Sequence, residues 1–176
     1  MQMEAGLDTG PVMLETFTAI GASETTGQLH DRLAVLGAEA VVHVLTRLAH
    51  GNEVASSAQS TQGVTYAHKV TVEEGQIDWS TSAVDIDRKI RAFNPNPGAW
   101  TTWRGEKLKI WASALVAVPS CVGSEPGAVL AAEGEHLLVC CGSSVLAITD
   151  VQRPGGKRMA VSTWLAGGGH PVMGER

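Results

Sequence analysis

No stretch of about 18 uncharged apolar residues occurs in this 176-residue chain, which argues against a transmembrane helix. The N-terminus carries Glu4 and Asp8 and lacks a basic segment leading into an apolar one, so it does not read as a secretory leader. Cysteine is scarce. Of the three, Cys140 and Cys141 are adjacent and would point to opposite faces of a strand. Neither Cys121 nor any histidine stands at a zinc-finger spacing from them. Three reduced structural thiols, no metal and a cytoplasmic location are the expectation. An excess of positive charge is also missing: the net charge is −5, which argues against a generally basic nucleic-acid binder.

What is present divides in two. Residues 1–61 hold two basic residues, Arg32 and Arg47, against seven acidic ones, whereas residues 62–176 balance eleven of each sign. Any polyanion contact therefore belongs to the second part. The hydrophobic content of 44% and charged content of 18% are those of a globular protein. The length suits one domain, or a small domain with a piece of another.

Along the first part, the run Pro11–Ile20 is rich in strand formers and predicts one β-strand. Apolar residues then recur at helical spacing through Leu29, Leu33, Leu36, Ala40, Val44 and Leu48. Ser23, Thr25 and Thr26 offer capping hydroxyls, Gly51 supplies the stop, and Gly37 is a point where the helix could divide. One strand and one amphipathic helix cannot bury each other's apolar faces, so a larger sheet is expected as their partner. The helix face predicts poor solubility for residues 1–52 alone. The segment around 53–62, with few aliphatic residues, reads as a linker.

The second part opens with V-T-Y-A-H-K-V at 64–70. Thr71 and Glu74 stand at capping-box spacing for a short turn. A helix after Ser80 presents Ala83, Ile86, Ile90 and Phe93 on one face and must stop before the prolines of N-P-N-P-G at 94–98. Strand-like runs follow at 99–104, 107–118, 128–132, 135–141 and 144–151, with Gly105-Glu106 as the first hairpin break. A last turn lies around Met159–Leu165. Five short strands in about fifty residues predict a small antiparallel barrel of the OB-like kind.

Three places could carry chemistry. In M-E-A-G-L-D-T-G-P, residues 3–11, Asp8 stands between glycines in a tight loop whose backbone is free to approach a ligand. Such a carboxylate can orient an imidazole and stabilise its protonated form; the simpler reading is an acidic turn residue bonding its own backbone. I-D-W-S (77–80) and I-R-A-F-N-P-N-P-G-A-W (90–100) read as caps, an apolar helix face and a rigid turn. Burial of Trp79, Phe93 and Trp100 there would stabilise by about 2–3 kcal/mol each. The basic set of Lys69, Arg88, Arg91, Arg104, Lys107, Lys109, Lys157 and Arg158 is either a solvated exterior or a set of phosphate contacts. Alternation in K-L-K-I-W sends Lys107 and Lys109 to one face and Leu108 and Ile110 to the core. His30, His43 and His50 supply no third ligand. The G-G-G-H tail at 167–170 lacks the lysine and helix of a phosphate-binding loop.

M-E-A-G-L-D-T-G-P resembles the signature that closes the active site of methionyl-tRNA formyltransferases. I-D-W-S, I-R-A-F-N-P-x-P-G-A-W, the K-x-K-I-W strand and Q-R-P-G-G-K-R-M resemble that family's C-terminal domain, in the same order. The resemblance runs through nearly the whole chain. It implies formyl transfer from 10-formyltetrahydrofolate to the methionyl amino group of initiator tRNA, in a monomeric enzyme. Asp8 matches the family's catalytic aspartate, and Gly6, Leu7, Thr9 and Gly10 match its folate-site loop. The C-terminal barrel is implied to contact tRNA, through Lys69, Arg91, Arg104, Lys107, Lys109, Lys157 and Arg158. Residues 1–52 correspond to the end of a Rossmann-like α/β catalytic domain, 53–62 to a linker and 63–176 to the OB-like tRNA-binding domain.

The family's Asn-x-His pair and Ser-Leu-Leu-Pro folate loop do not occur in this sequence. Loss of an acid/base partner lowers a rate by about 10²–10⁴-fold. The expectation is a C-terminal part of a longer enzyme, inactive by itself. The competing readings are a non-catalytic tRNA-binding module and a sugar-nucleotide formyltransferase.

Overall fold

The computed structural model describes residues 1–117, 121, 123–142 and 144–168, and the chain divides into two units, Met1–Lys69 and Val70–Arg176. Unit 1 is built around α1 (Thr26–Ala49). Thr25 accepts from the Gln28 N–H and the Gln28 side chain returns to the Thr25 backbone, a reciprocal pair that satisfies the free donors of the first turn. The helix runs unbroken through Gly37. Arg32 on its second turn grips the preceding loop. Its guanidinium donates to the Glu24 carboxylate at 2.7 and 3.1 Å, to the Ala19 carbonyl at 2.9 Å and to the Thr18 hydroxyl. The Arg32 hydrogen bonds hold the Glu24 carboxyl below its usual range.

The strand expected over Pro11–Ile20 does not form. Its single ladder contact is an isolated bridge between Val12 and Ser57. A strand needs a neighbour for its N–H and C=O groups, and β-propensity cannot supply one. Ser57 lies in the segment expected as a linker, and that segment folds back on the Asp8 loop.

Unit 2 is an antiparallel sheet with short helices. A 3₁₀ turn (Glu73–Gly75) is preceded by the Thr71–Glu74 reciprocal cap. Then come α2 (Ala83–Ala92), β1 (Ala99–Trp103), β2 (Glu106–Leu115), β3 (Val129–Glu133), β4 (His136–Cys141), β5 (Ser144–Gln152), β6 (Met159–Ala160) and α3 (Val161–Ala166). The strand order is β1-β2-β5-β4-β3, with β6 added to β5. Trp103 pairs with Glu106, so the first turn is Arg104-Gly105. Both residues have positive φ, 49° and 75°, which matches the twist of the flanking strands.

The core lies between α2, α3 and one face of the sheet. Ser82 caps α2 and Ala83, Ile86 and Ile90 are buried on one side, as their spacing predicts. Leu108 and Ile110 from β2, Ile148 and Val151 from β5, and Trp164 from α3 complete it. The described pairings leave the path open, with β1 and β3 at its two ends, so a closed barrel is not what the ladder shows. Val118, the last residue of the run expected as the second strand, lies outside the described residues, as do Gly169 and His170 of the glycine-rich tail.

The expectation of three reduced thiols needs correction. Cys121 and Cys140 form a disulfide, with Cα atoms 5.5 Å apart. The chain before β3 returns onto β4, where Gly127 N–H donates to the Cys140 carbonyl and Cys140 N–H to that of Ala128, both at 2.8 Å. Only that tertiary return brings the two cysteines together. Cys141 is free and buried, and its desolvation pushes the thiol up to about 11. Among the described residues no helix is long and apolar enough to cross a membrane.

Candidate functional site

The Asp8 loop of unit 1 is fixed through its backbone. Asp8 adopts φ 54°, a left-handed conformation that short polar residues tolerate. Gln59 donates from Nε2 to the carbonyls of Asp8 and Gly10, at 2.7 and 2.8 Å. Gln2 N–H donates to the Pro11 carbonyl at 2.8 Å, so residue 2 passes directly over Gly10. A Cβ at Gly10 would meet the Gln2 carbonyl oxygen at 1.8 Å, and one at Gly6 would meet Thr9 Oγ1 at 2.5 Å. The backbone crossing therefore requires glycine at position 10, whereas at position 6 the side chain of exposed Thr9 would have to turn away. Leu7, Asp8 and Thr9 are exposed, and no partner holds the Asp8 carboxylate among the described residues. The arrangement is a rigid loop presenting an available carboxylate, which can steady a cationic imidazole. Gln59 went unnoticed in the sequence because nothing local marks a linker glutamine as a clamp.

In unit 2 the ladder register gathers a second set. Trp100 pairs with Lys109, Thr102 with Lys107, and Lys109 with Gln152, and directly opposed residues share a face. The other face carries Leu108, Ile110 and Val151, all buried. Lys107 Nζ lies 4.0 Å from the Trp100 ring centroid. Lys109 Nζ donates to the Pro97 carbonyl at 2.9 Å and sits 5.4 Å from the Trp111 ring centroid. Trp111 donates from Nε1 to Gln152 Oε1 at 2.8 Å, and Gln152 Nε2 donates to the Gly156 carbonyl at 2.7 Å. That chain of bonds docks the Pro154-Gly155-Gly156 turn against the face. Lys107, Lys109, Gln152, Arg153, Pro154 and Gly155 line a depression of ≈ 250 Å³.

Arg153 was not singled out among the basic residues, although it lies within Q-R-P-G-G-K-R-M. Its guanidinium approaches the Trp103 ring at 5.5 Å and Glu106 at 3.3 Å. Arg104, in the β1–β2 turn, lies 5.0 Å from the same ring. Cations beside indole faces form a surface suited to phosphates and stacked bases.

The remaining basic residues are dispersed. Arg91 is bonded to Asp87 at 3.0 Å, Arg88 to Asp85 at 3.4 Å and Arg158 to Asp150 at 3.3 Å. Lys157 is exposed, and Lys69 belongs to unit 1. I-D-W-S and N-P-N-P-G act within the fold. Asp78 accepts from the Ser80 hydroxyl at 2.6 Å and its N–H at 3.0 Å, bonds that hold its carboxyl below the usual range. Trp79 donates to Thr101 at 2.9 Å, and Asn94 donates to the Trp111 carbonyl at 2.9 Å. Among the described residues no three His, Cys, Asp or Glu side chains converge on a metal position.

Residues 69–169 match the family described as "Formyl transferase, C-terminal domain". Along its full length the chain is 48% identical to the methionyl-tRNA formyltransferase of Dechloromonas aromatica, of which it spans 54%. The chain belongs to the formyl transferase family that this C-terminal domain defines. Two further methionyl-tRNA formyltransferases are similar to it. Identity is 44% to that of Aromatoleum aromaticum over 100% of this chain and 54% of the relative, and 46% to that of Hahella chejuensis over 98% and 53%. The chain thus spans about half the length of the curated relatives it matches. In fold it is similar to a HypX variant from Aquifex aeolicus, with TM-score 0.70 at 16% identity over 94% of this chain and 29% of that one. It also resembles HypX of the same organism in complex with tetrahydrofolic acid, with TM-score 0.66, 16% identity and coverage of 92% and 28%.

Proposed function

We propose that the protein acts in formyl transfer from 10-formyltetrahydrofolate to the methionyl amino group of initiator tRNA in the cytoplasm, as a monomer. In this reading residues 1–52 are the C-terminal portion of a Rossmann-like catalytic domain, 53–62 a connecting segment, and 63–176 an OB-like, partly open barrel that holds the tRNA. Asp8 steadies the imidazole that exchanges the proton of the attacking amine, and Leu7 and Thr9 border the folate. Gly6 and Gly10 shape that loop from within. Lys107, Lys109 and Arg153 carry most of the tRNA backbone contact, with Arg104 and Lys157 at the edges and Lys69, Arg91 and Arg158 contributing less.

The observation that carries this reading is the grouping of Lys107, Lys109 and Arg153 around one depression, beside the Trp100, Trp111 and Trp103 rings respectively, in a chain whose overall charge is negative. A local cluster of cations on an acidic protein is the footprint of a specific polyanion contact. The register shifts in β2 between Ile110 and Ala112 and between Ala112 and Ser113 support a curled sheet, since bulges bend the strand that bears them.

The test is initiator-tRNA affinity across a salt series. Each neutralised phosphate contributes a slope of about 0.7–0.9 in log K against log salt. Lys107→Ala, Lys109→Ala and Arg153→Ala should each lower the slope by about one contact. Arg88→Ala, on the ion-paired side of α2, should leave it unchanged. An amino-sugar nucleotide that is formylated in preference to the tRNA would overturn the acceptor assignment.

A further inference from the structure

Three sequence motifs, N-P-N-P-G, K-L-K-I-W and Q-R-P-G-G-K-R-M, meet in one chain of hydrogen bonds that starts at an irregularity in β2. Ile110 pairs with Val151 and Ala112 with Asp150, so Trp111 is an extra residue with no partner directly across. Such a bulge takes main-chain groups off the ladder and redirects a side chain. Asn94 of the proline-rich turn takes up the Trp111 carbonyl, donating from Nδ2 at 2.9 Å. The Trp111 indole donates to Gln152 Oε1 at 2.8 Å, and Gln152 Nε2 donates onward to the Gly156 carbonyl at 2.7 Å. Gln152 is the ladder partner of Lys109, so these bonds cross the face that carries the lysines.

The two neighbours of Gln152 make opposite demands. An indole N–H only donates and a main-chain carbonyl only accepts. A side chain between them must accept at one end and donate at the other, which an amide does and an aliphatic chain does not. The bond to Gly156 falls on the last residue of a closed turn. Gly156 N–H donates to the Arg153 carbonyl at 3.0 Å, and Pro154 followed by Gly155 at φ 68° gives the turn its type II form. Arg153 is the first residue of that turn, so the amide bond fixes where Arg153 stands relative to Lys109. The side-chain contacts of Arg153 hold it less firmly. Its ion pair with Glu106, at 3.3 Å, joins groups that are 52% and 50% exposed, and pairs of that kind contribute little.

We propose that Gln152 is a positioning residue for phosphate binding at this face. Held by the Trp111 indole, it sets the Pro154-Gly155-Gly156 turn so that Arg153 meets the same stretch of nucleic-acid backbone as Lys107 and Lys109. Gln152 acts through Arg153 and does not itself hold the phosphate. The bulge at Trp111, the Asn94 bond and the glycines of the turn then serve one purpose, the placing of a third cation around the depression. This inference rests on the tRNA reading of the face.

The experiment measures initiator-tRNA affinity of the full chain across a salt series for Gln152→Met, Arg153→Ala, the double variant and Lys107→Ala. Methionine keeps the length of the side chain and removes both hydrogen bonds. Gln152→Met should lower the slope of log K against log salt by about one contact, roughly 0.7–0.9. Its affinity at about 0.15 M salt should fall about fivefold, as that slope implies. The double variant should match Arg153→Ala within about twofold, because two residues that act through one contact do not add. A residue that only supported the sheet would leave the slope unchanged. If Gln152→Met does not fold, Trp111→Phe keeps a ring beside Lys109 and removes only the donor. Its loss of slope should run in the same direction and vanish in the Arg153→Ala background. An unchanged slope in Gln152→Met while Lys107→Ala lowers it, or losses that add in the double variant, would overturn the role of Gln152 and leave the tRNA reading standing. Unchanged slopes in both Lys107→Ala and Arg153→Ala would overturn the two together.

Discussion

The helices α1 and α2 obey the same local rules and reach opposite ends. Each has a hydroxyl cap and apolar residues at three- and four-residue spacing. In α2, ten residues bury Ala83, Ile86 and Ile90 against the sheet. In α1, twenty-four residues bury none, and Leu33, Val41 and Leu45 stand 47%, 57% and 59% exposed. Capping and periodicity decide that a helix forms; a facing surface decides whether it contributes to a core. Unit 2 contains that surface. Within unit 1 the apolar side of α1 meets no comparable one.

The sharpest way to break this contrast is to truncate one residue on each helix. Ile86→Ala should destabilise unit 2 by about 2–5 kcal/mol, the range for buried large-to-small changes. Leu45→Ala should stay within about 0.5 kcal/mol, as exposed positions do. Urea unfolding followed by tryptophan fluorescence reads unit 2, which holds all five tryptophans, and far-ultraviolet circular dichroism reads α1. Equal losses would mean that the α1 stripe is covered in solution.

A smaller effect separates the units by covalent chemistry. The Cys121–Cys140 disulfide closes a loop of sequence separation 19, worth about 3 kcal/mol in the chain-entropy account. Cys140→Ser should lower the unit 2 midpoint accordingly and leave the α1 signal unchanged. If stability is the same with and without reductant, the bond does not form in solution.

Acid gives the smallest effect. In unit 2 the Asp78 and Glu74 carboxyls are held below their ordinary values, 3.8 and 4.5, by hydrogen bonds from Ser80 and Thr71. A depressed folded value means that the native state favours the ionised form. The contribution is complete above the ordinary value and is lost as pH falls through the lowered one. Unit 2 stability should be level from neutral pH to about pH 5 and decline below it, with a shallower decline in Asp78→Asn. A decline of the same steepness in that variant would remove Asp78 from the explanation.

Most of unit 2 was legible from its alternation. The K-L-K-I-W run placed Leu108 and Ile110 inside and Lys107 and Lys109 outside, because a period of two has one solution once a core face exists. The α2 face was legible for the same reason at helical period. The strand expected at Pro11–Ile20 failed because propensity describes a residue and pairing needs a neighbour. The cysteine pairing failed because it depends on a loop returning to β4 across nineteen positions. At the candidate sites, Asp8 between glycines was visible as chemistry. Gln59, which clamps that loop from fifty-one residues away, was not. Arg153 was hidden in a motif that reads as a turn, and the docking of that turn through Gln152 gave it a place beside the two lysines.

The most direct measurement is acetylation of the five lysines with and without initiator tRNA, read by mass spectrometry on the full chain. Lys107 and Lys109 should be the most strongly protected, and Lys89, whose Nζ donates to the Gln76 carbonyl at 2.6 Å, should change little on tRNA addition. Strong protection of Lys89 with Lys107 and Lys109 still reactive would place the nucleic acid elsewhere and contradict the assignment of the β1–β2–β5 face.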